Sequence, residues 1–315
     1  MLAILKESYG GPEVLKLGEA PKPQPQKNQI LIKVMANSAN PADWHIMRGK
    51  PYFARFSFGL FKPKDPILGS DFAGIVEEVG SEVKSFKIGD RVFGENLGGA
   101  FAEYCLATEN IIAKIPASQS FESMAALPIA GLTAYQALLE HGNLKPGEKV
   151  LINGASGGVG HFAIQIAKAH GAVVSAICSS RNKDFVKSLG ADKVIPYNEV
   201  DLSKYSKQHD LLLDCYGNLS HADFKKLSKR GVIIGLTTMG RMTKLLLSNA
   251  LSKYPLKQFT AEAKHSDLKA LAELIDKGKI KTHIHQIYPY SEIPEAIAFI
   301  EKMHTPGKVV MRWEQ

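Results

Sequence analysis

The sequence has little cysteine and no long hydrophobic run. Its 3 cysteines, Cys105, Cys178 and Cys215, are odd in number, lie far apart and form no C-x-x-C pair. This excludes a disulfide-stapled secreted domain and predicts free thiols in a reducing compartment, so we expect a cytoplasmic protein. No apolar run reaches the roughly 20 residues of a membrane-spanning helix, and the start "MLAILKESYG" lacks the apolar core of a signal peptide. We therefore expect no integral membrane association.

Acidic residues are also in short supply. The chain has 31 Asp and Glu against 39 Lys and Arg, a formal net charge of +8. An excess of this kind is compatible with an anionic macromolecular partner. The basic residues are scattered, however, and runs such as "KKLSKR" (225–230) and "KGKIK" (277–281) carry no interleaved aromatic residues. We therefore expect a solvated basic surface and no nucleic-acid partner.

Two different patterns follow one another along the chain. Up to about residue 118, short β-type runs are separated by Gly and Pro, which predicts a compact antiparallel, barrel-like domain. These runs are "ILIKVMA" (30–36), "FAGIVEEVG" (72–80), "GDRVFG" (89–94) and "AFAEYCLA" (100–107). From residue 120 onward, helices alternate with five short apolar strands, which predicts an α/β fold with a parallel, doubly wound sheet. Those strands are "KVLING", "VVSAIC", "KVIPY", "LLLDCYG" and "GVIIGLT".

The C-terminal part continues this alternation. A sixth strand, "QFTAEAK" (258–264), is predicted to complete the parallel sheet at its edge. An amphipathic helix, a strand "IHQIYPY", a helix starting near Ile293 and a last strand "GKVVMRW" follow. We therefore predict a nucleotide-binding domain over 119–264 and a second domain formed by 1–118 together with 265–315.

A glycine cluster lies between a strand and a helix in "INGASGGVGHFAIQIAKAHG" (152–171). Glycine allows the backbone to turn tightly and to approach a pyrophosphate, which the N–H groups at the helix start can bind. The strand and helix on either side favour this interpretation over a flexible turn. The cofactor-binding prediction covers Ala155, Ser156, Gly157, Gly158, Val159 and Gly160, with Ala155 standing where the G-x-G-x-x-G form has its first glycine.

The end of the second strand decides which dinucleotide is favoured. NAD enzymes place a carboxylate there for the ribose hydroxyls, but this chain has "ICSSRNKDF". Ser179, Ser180 and Arg181 can hydrogen-bond and neutralise a 2′-phosphate, which favours NADPH. Lys183 is an alternative cation, and Asp184 is close enough that a one-residue error in register would change the conclusion.

Several segments resemble the medium-chain dehydrogenase/reductase superfamily over essentially the whole chain. The segments "NSANPADWHIMRG", "PILGSDFAGIVEEVG", "LPIAGLTAYQAL" and "GASGGVGHFAIQIAKAHGA" are similar to its zinc-independent quinone oxidoreductase branch. "CSSRNKDFVKSLGAD" and "NPADWHIMRG" are particularly similar to the plant chloroplast-envelope quinone oxidoreductase homologue group. The resemblance implies a GroES-like barrel catalytic domain joined to a Rossmann domain, and a quinone or α,β-unsaturated ketone as substrate.

The resemblance also implies that no metal is bound. Zinc-dependent members of the superfamily hold a catalytic zinc through Cys and His, and this chain has Asn40 and Ser70 at the matching positions. Hydride addition to an activated alkene or quinone does not require that metal, because the conjugated carbonyl accepts the developing charge.

Roles for individual residues follow from the same resemblance. Asn40 would border the nicotinamide and the substrate oxygen, Thr133 would contact the nicotinamide carboxamide, and Tyr197 would lie near the adenosine phosphate. Tyr52 would protonate or orient the enolate, with a packing or lid aromatic as the alternative and His45 as a competitor. Gly307 and Lys308 match a terminal Gly-Lys pair of the family, for which we expect a plain surface lysine, with a phosphate or active-site contact as the alternative.

The sequence therefore predicts an NADPH-dependent, zinc-independent oxidoreductase of quinones or of the C=C bond of α,β-unsaturated carbonyls. Two alternatives stay open: a 2-enoyl-thioester reductase, and an NADPH-binding protein that uses a basic face on RNA or a membrane surface. By analogy with relatives, we expect that the chain can form a homodimer through its sixth strand.

Overall fold

The computed structural model describes residues 1–199, 201–234, 240, 248–249 and 252–313. Its strands are β1 (Leu2–Leu5), β2 (Lys16–Glu19), β3 (Gln29–Ala39), β4 (Asp71–Val79), β5 (Arg91–Glu95), β6 (Tyr104–Thr108), β7 (Ile112–Lys114), β8 (Lys149–Asn153), β9 (Val173–Cys178), β10 (Lys193–Pro196), β11 (His209–Asp214), β12 (Ser228–Ile233), β13 (Leu256–Gln258), β14 (Ile284–Pro289) and β15 (Lys308–Arg312). Its α-helices are α1 (Pro41–Arg48), α2 (Arg55–Phe58), α3 (Phe121–Ala125), α4 (Pro128–Tyr135), α5 (Gly158–Ala169), α6 (Lys183–Ser188), α7 (His221–Leu227), α8 (His265–Asp276) and α9 (Ile293–Glu301).

The chain divides into two compact units. Unit 1 comprises Met1–Ala130, Ala263–Lys277 and Thr282–Gln315, and unit 2 comprises Gly131–Glu262 and Gly278–Lys281. The domain boundaries derived from the sequence, after 118 and after 264, stay predictions.

Unit 1 is built around a largely antiparallel sheet. Its strands follow the order β14, β15, β3, β4, β5, β7, and β6 pairs with β3. The predicted runs match β3, β4 and β5, whereas β6 begins at Tyr104, four residues later than the predicted run "AFAEYCLA". Apolar side chains from several strands pack into a common core, among them Ile32, Phe72 and Val92. The GroES-like barrel expectation is confirmed.

Unit 2 contains a parallel sheet in the order β10, β9, β8, β11, β12, β13. This is the strand order 3-2-1-4-5-6 of a Rossmann fold. The second and third strands extend the sheet to one side of β8, and the next three extend it to the other side. Leu151, Ile177 and Leu212 on the three central strands pack with Phe224 of α7 in one apolar cluster. The Rossmann expectation is confirmed, and the carboxyl end of β8 lies at the switch point where nucleotides bind in such sheets.

The sixth strand is present, but not where the sequence predicted it. The prediction placed it over 258–264, whereas β13 covers Leu256–Gln258 and pairs in parallel with β12. The chain after Gln258 is held by other contacts, because the side chain of Gln136 bonds both the N–H and the carbonyl of Glu262, at 3.1 and 2.8 Å. The fifth predicted strand, "GVIIGLT", ends as β12 at Ile233, and its residues 235–237 lie outside the described residues.

No helix in the described part of the chain is both long and apolar enough to cross a membrane.

Candidate functional site

The glycine loop connects β8 to α5. Gly154 has φ +74°, a left-handed conformation that favours glycine. A Cβ placed on Gly160 would lie 2.2 Å from the carbonyl oxygen of Gly154 and 2.7 Å from Cα of Ala155, so only glycine fits there. Helix α5 starts at Gly158, and its N-cap residue is Gly157. Because glycine has no side chain, no side-chain group caps the N-terminus of this helix. The first N–H groups of the helix have no intrahelical partners and are the groups that bind an anion.

The loop after β9 lies beside the glycine loop. The amide Nδ2 of Asn182 donates to Ser156 Oγ at 2.9 Å, which joins the two loops directly. The hydroxyl of Ser180 donates to Asn198 Oδ1 at 2.8 Å. Tyr197 precedes that asparagine, and its backbone N–H donates to the carbonyl of Cys178 at 3.0 Å. The structure therefore gathers the segments that carry Ser156, Ser180 and Tyr197.

The side chains of this region differ in exposure. Arg181 and Lys183 are exposed, Tyr197 is 58% exposed, and Val159 is half-buried. The hydroxyl oxygen of Ser179 is buried and has no hydrogen-bond partner within the described residues. An unpaired buried hydroxyl is unusual in a folded protein and marks a position where a ligand oxygen can bind.

A buried carboxylate supports the glycine loop from the neighbouring strand. Asp214, at the end of β11, accepts a hydrogen bond from Asn153 Nδ2 at 2.8 Å. It also accepts the backbone N–H groups of Tyr216, Gly217 and Leu219, at 3.1, 2.9 and 3.2 Å. Burial raises the pKa of Asp214, and these donors oppose that shift. The carboxylate fixes the turn that follows β11 next to the end of β8. Sequence reasoning missed this pair, although each residue closes an apolar strand.

A nicotinamide dinucleotide fits the residues present in unit 2. The lack of a side chain at Gly157 leaves the backbone open to a diphosphate at the start of α5, and the close contact at Gly160 lets that helix pack against the loop. The end of β9 carries hydroxyls and an arginine. NAD enzymes have a carboxylate at this place, and that carboxylate would repel a 2′-phosphate. The site residues of unit 2 would hold the diphosphate and the adenosine end. Thr133, predicted to contact the carboxamide, lies half-buried in α4.

A second polar centre lies in the core of unit 1, around Asn40. The ammonium of Lys308 donates to Asn40 Oδ1 and lies 3.5 Å from a carboxylate oxygen of Asp71. The Asn40 amide Nδ2 donates to Asp71 Oδ2 at 2.8 Å and to the Ser38 carbonyl at 3.2 Å. The three side chains of Asn40, Asp71 and Lys308 are 1, 0 and 4% exposed. Lys308 is thus a core residue, and the expectation of a surface lysine is wrong.

Two further acids complete this centre. Asp43 accepts the Asn40 backbone N–H at 2.8 Å and the Ser70 hydroxyl at 3.0 Å. Glu95 pairs with Asp71 across β4 and β5, and one of its carboxyl oxygens is buried with no partner within the described residues. We call Asn40, Asp43, Asp71, Glu95 and Lys308 the buried polar cluster.

The buried polar cluster contains more acidic than basic groups. Burial raises the pKa of Asp43 to about 7 and that of Glu95 to about 8, and Asp71 adds to both shifts. Burial also raises the pKa of Asp71 and lowers that of Lys308, while the attraction between these two groups opposes both changes. One ammonium cannot balance three carboxylates at low dielectric, so the cluster retains protons near neutral pH.

Sequence reasoning identified Asn40 but missed its partners. Asn40 and Asp43 belong to the motif "NPAD", in which an acid three residues after the N-cap bonds back to the cap backbone. That spacing could have indicated Asp43. Lys308 gave a weaker signal, a lysine directly before the apolar run "VVM" of a strand.

The two candidate proton donors lie outside this cluster. Tyr52 is 66% exposed, and no hydrogen bond in the described part of the chain joins it to Asn40. His45 Nδ1 lies 3.1 Å from the Lys50 carbonyl, and its ring stacks on Trp44. Burial lowers the pKa of His45.

Comparisons with known proteins agree with this architecture. Residues 26–117 match the alcohol dehydrogenase GroES-like domain, and residues 189–311 match the zinc-binding dehydrogenase family. The chloroplast envelope quinone oxidoreductase homolog of Arabidopsis thaliana is 37% identical, with 99% of this chain and 98% of that protein covered. The chain belongs to the quinone oxidoreductase branch of the medium-chain dehydrogenase/reductase superfamily.

Solved structures of this superfamily show the same fold. The quinone oxidoreductase of Coxiella burnetii superposes with a TM-score of 0.88 at 34% identity, covering 99% of each chain. The Escherichia coli quinone oxidoreductase, solved in complex with NADPH, superposes with a TM-score of 0.82 at 29% identity, covering 99% of this chain and 100% of that one. As a member of this superfamily, the chain is an oxidoreductase.

The dehydrogenase family that matches residues 189–311 is named for zinc binding, but the residues of this chain do not fit that metal. By the family resemblance, the amide of Asn40 and the hydroxyl of Ser70 take the places of the Cys and His that zinc-dependent members use, and Cys and His are the ligands that zinc prefers. The ammonium of Lys308 already lies against Asn40 Oδ1 and would repel a divalent cation.

Proposed function

We propose that the protein is an NADPH-dependent reductase that transfers a hydride to quinones or to the C=C bond of α,β-unsaturated carbonyls. The observation that carries the proposal is the buried polar cluster, in which Lys308, Asn40 and Asp71 bond to one another. By the family resemblance, Asn40 stands at a position where zinc-dependent members hold their metal. An acceptor that is already activated by conjugation needs no metal, and relatives that carry the name quinone oxidoreductase support this substrate class.

The nicotinamide cofactor is supported by the glycine loop and by the relative solved with NADPH. The preference for NADPH over NADH rests on the end of β9, where Ser179, Ser180 and Arg181 replace the carboxylate of NAD enzymes. The buried unpaired hydroxyl of Ser179 and the exposed Arg181 are suited to a phosphate, which accepts several charge-assisted hydrogen bonds.

The residues of unit 1 supply polar groups for the reduction. When bound, the reduced nicotinamide supplies the hydride, and negative charge then develops on the acceptor oxygen. Both hydrogens of the Asn40 amide donate to protein acceptors, so a bond from Asn40 to the substrate oxygen requires exchange of one of them. The Lys308 ammonium at Asn40 Oδ1 polarises the amide and strengthens its N–H groups as donors.

Reduction of the acceptor also consumes a proton. The carboxyls of Asp43 and Glu95, with pKa values of about 7 and about 8, hold protons in the buried polar cluster near neutral pH. We assign proton delivery at the substrate to Tyr52, which is exposed and therefore accessible to solvent protons. Loss of either polar group, in Asn40→Ala or Tyr52→Phe, should raise the barrier by about 1 to 3 kcal/mol.

The decisive experiment measures oxidation of NADPH and NADH against quinones, enones and enoyl thioesters, with metal analysis of the same sample. We expect turnover with quinones or enones that survives chelation. Selective turnover of enoyl thioesters would replace the proposed substrate class. Stoichiometric zinc with loss of turnover on chelation would refute the metal-free reaction.

We further propose that the enzyme acts in the cytoplasm as a homodimer paired through β13. The free state of Cys105, Cys178 and Cys215 supports a reducing compartment. Strand β13 is at the edge of the parallel sheet, where unpaired backbone groups can meet a second copy. Light scattering over a range of concentrations should give the mass of a dimer, and a constant monomer mass would contradict it.

A further inference from the structure

A segment of unit 1 between α1 and β4 exposes its large apolar side chains to solvent. We call residues 50–64, "KPYFARFSFGLFKPK", the aromatic segment. Its exposed side chains are Tyr52, Phe53, Phe56, Leu60 and Phe61, at 66, 53, 76, 49 and 89% exposure. Single exposed apolar residues are normal on protein surfaces, but a contiguous group marks an interaction site.

The aromatic segment is also cationic. It carries Lys50, Arg55, Lys62 and Lys64, and residues 44–64 include neither Asp nor Glu. The basic runs 225–230 and 277–281 carry no interleaved aromatic residues, whereas this segment combines both residue types. The three lysines are exposed, so their charge reaches solvent next to the apolar side chains.

The backbone of the aromatic segment is held in place by specific contacts. The hydroxyl of Tyr9 donates to the Gly59 carbonyl at 2.6 Å, and Arg55 Nε donates to the Gly49 carbonyl at 3.0 Å. The guanidinium of Arg55 also lies 4.3 Å from the centre of the Tyr9 ring. The N–H of Lys64 closes the segment on the Phe58 carbonyl at 2.8 Å. The aromatic rings are therefore presented outward by an ordered loop.

We propose that the aromatic segment binds the surface of an anionic lipid bilayer. Phenylalanine, tyrosine and leucine side chains insert into the boundary between headgroups and acyl chains, and neighbouring lysines bind anionic headgroups. Each basic residue close to such a surface strengthens binding about fivefold. The lack of acidic residues across the whole segment matches a uniformly negative partner. A double-stranded nucleic acid would use the lysines but leave Phe56 and Phe61 in water. A single strand can stack bases on the aromatic rings, but it offers less to the aliphatic side chain of Leu60 than acyl chains do.

The test is flotation with vesicles of phosphatidylcholine alone and of phosphatidylcholine containing phosphatidylglycerol. The wild-type protein should float with the anionic vesicles at low salt and much less with the neutral ones. The variant Phe56→Ser/Phe61→Ser should lose about tenfold or more of its binding, because two large apolar side chains no longer insert. The variant Lys62→Glu/Lys64→Glu should lose a similar factor on anionic vesicles alone.

Matched controls lie elsewhere in unit 1. Ile88 and Leu97 are 65 and 68% exposed, and Ile88→Ser/Leu97→Ser removes comparable apolar surface outside the segment. Lys16→Glu/Lys27→Glu makes the same change in net charge at two exposed positions. Both controls should float like the wild type, and far-UV circular dichroism with thermal unfolding should show every variant folded.

Three results would overturn the proposal. The wild type could fail to float with anionic vesicles. The control variants could lose as much binding as the segment variants, which would indicate unspecific attraction. Finally, Phe56→Ser/Phe61→Ser could change the molecular mass in light scattering and leave flotation intact, which would assign the segment to an interface between protein copies.

Discussion

The glycine loop and the buried polar cluster place polar groups in opposite ways. In the loop, consecutive residues from Gly154 to Gly160 present backbone groups at the start of a helix, and the space between them is too small for a Cβ at Gly160. In the cluster, side chains supply the charges, and Asn40 and Lys308 are 268 residues apart in sequence. Substitutions that add side-chain volume should therefore destabilise the glycine loop, and substitutions that remove a charge should destabilise the buried polar cluster.

The largest effect is expected for Lys308→Met, which keeps the length of the side chain and removes its charge. Asp71 and Asn40 Oδ1 would lose their cation in a dry environment, which costs about 3 to 5 kcal/mol of unfolding free energy. Denaturation followed by the fluorescence of Trp44 and Trp313 measures this, because both of the chain's 2 tryptophans lie in unit 1.

Lys16→Met serves as the control for Lys308→Met, since Lys16 is exposed and its loss should change little. Adding Asp71→Asn to Lys308→Met should recover part of the loss by removing the unpaired charge. A Lys308→Met protein as stable as the Lys16→Met control would show that the ion pair in the cluster is unimportant.

Volume in the loop is tested by comparing Gly160→Ala with Gly157→Ala. The first places a Cβ 2.2 Å from the Gly154 carbonyl oxygen, and we expect a loss of about 2 to 4 kcal/mol in stability. In Gly157→Ala the new Cβ lies 3.4 Å from the Gly154 carbonyl oxygen, and Gly157 has an ordinary φ of −76°. The stability of this variant should therefore change by less than about 0.5 kcal/mol. Thermal unfolding without cofactor separates the two, and equal losses would contradict the close approach at Gly160.

Charge at the cofactor end is tested by Arg181→Ala. A partly exposed charge-assisted contact to a 2′-phosphate contributes about 1.5 to 3 kcal/mol, or roughly ten- to a hundredfold in affinity. NADPH should bind correspondingly weaker and NADH about as before. The ratio of kcat/KM for the two cofactors measures this, with Lys183→Ala as the matched variant. An unchanged ratio would remove Arg181 from the site, and a wild-type preference for NADH would reverse the cofactor assignment.

The smallest effect at acidic pH concerns Glu95→Gln, and this effect grows as the pH rises. The folded-state pKa of Glu95, about 8, lies above its ordinary value of 4.5, so the folded protein holds this proton more tightly than the unfolded chain. The stability of the wild type should therefore fall as pH rises from about 4.5 to about 8. Glutamine cannot ionise, so the variant should match the wild type near pH 4.5 and gain on it by up to about 1.4 kcal/mol per pH unit as the pH approaches 8.

The same tryptophan-monitored denaturation at several pH values checks this prediction. Some dependence on pH should persist in Glu95→Gln, because Asp43 has a pKa of about 7. Parallel stability curves for the two proteins would show that Glu95 does not titrate in this range.

The difference between the two regions also explains what the sequence could predict. The glycine loop is local: β8 ends at Asn153, α5 starts at Gly158, and the signals for both lie in one short stretch. The parallel, doubly wound sheet of unit 2 followed from the alternation of helices and strands, and its strand order came from the structure. The edge strand of the sheet was predicted at the wrong place, because the short pairing of β13 with Gly231–Ile233 leaves no periodic pattern in the sequence.

The buried polar cluster could not be assembled from local patterns. Lys308 is buried because β15 pairs with β3, where Val309 lies opposite Ala39. Glu95 is buried because β5 pairs with β4. The first pairing joins distant parts of the chain and the second joins two successive strands. A lysine or glutamate at a strand end looks like a surface residue until its partner strand is known. Asn40 was singled out through the family resemblance, and its bonds to Asp71 and Lys308 came from the structure.

The place of Lys308 on the last strand has a consequence for synthesis on the ribosome. A ribosome adding 5 to 20 residues per second needs roughly 15 to 50 s to cover the 268 residues from Asn40 to Lys308. The whole of the segment Gly131–Glu262 is made during that interval. Unit 2 can therefore fold before β15 has been synthesised and has paired with β3. Until then, the carboxylates of Asp71 and Glu95 remain hydrated in an open barrel. The first part of the chain to be translated is therefore among the last to close.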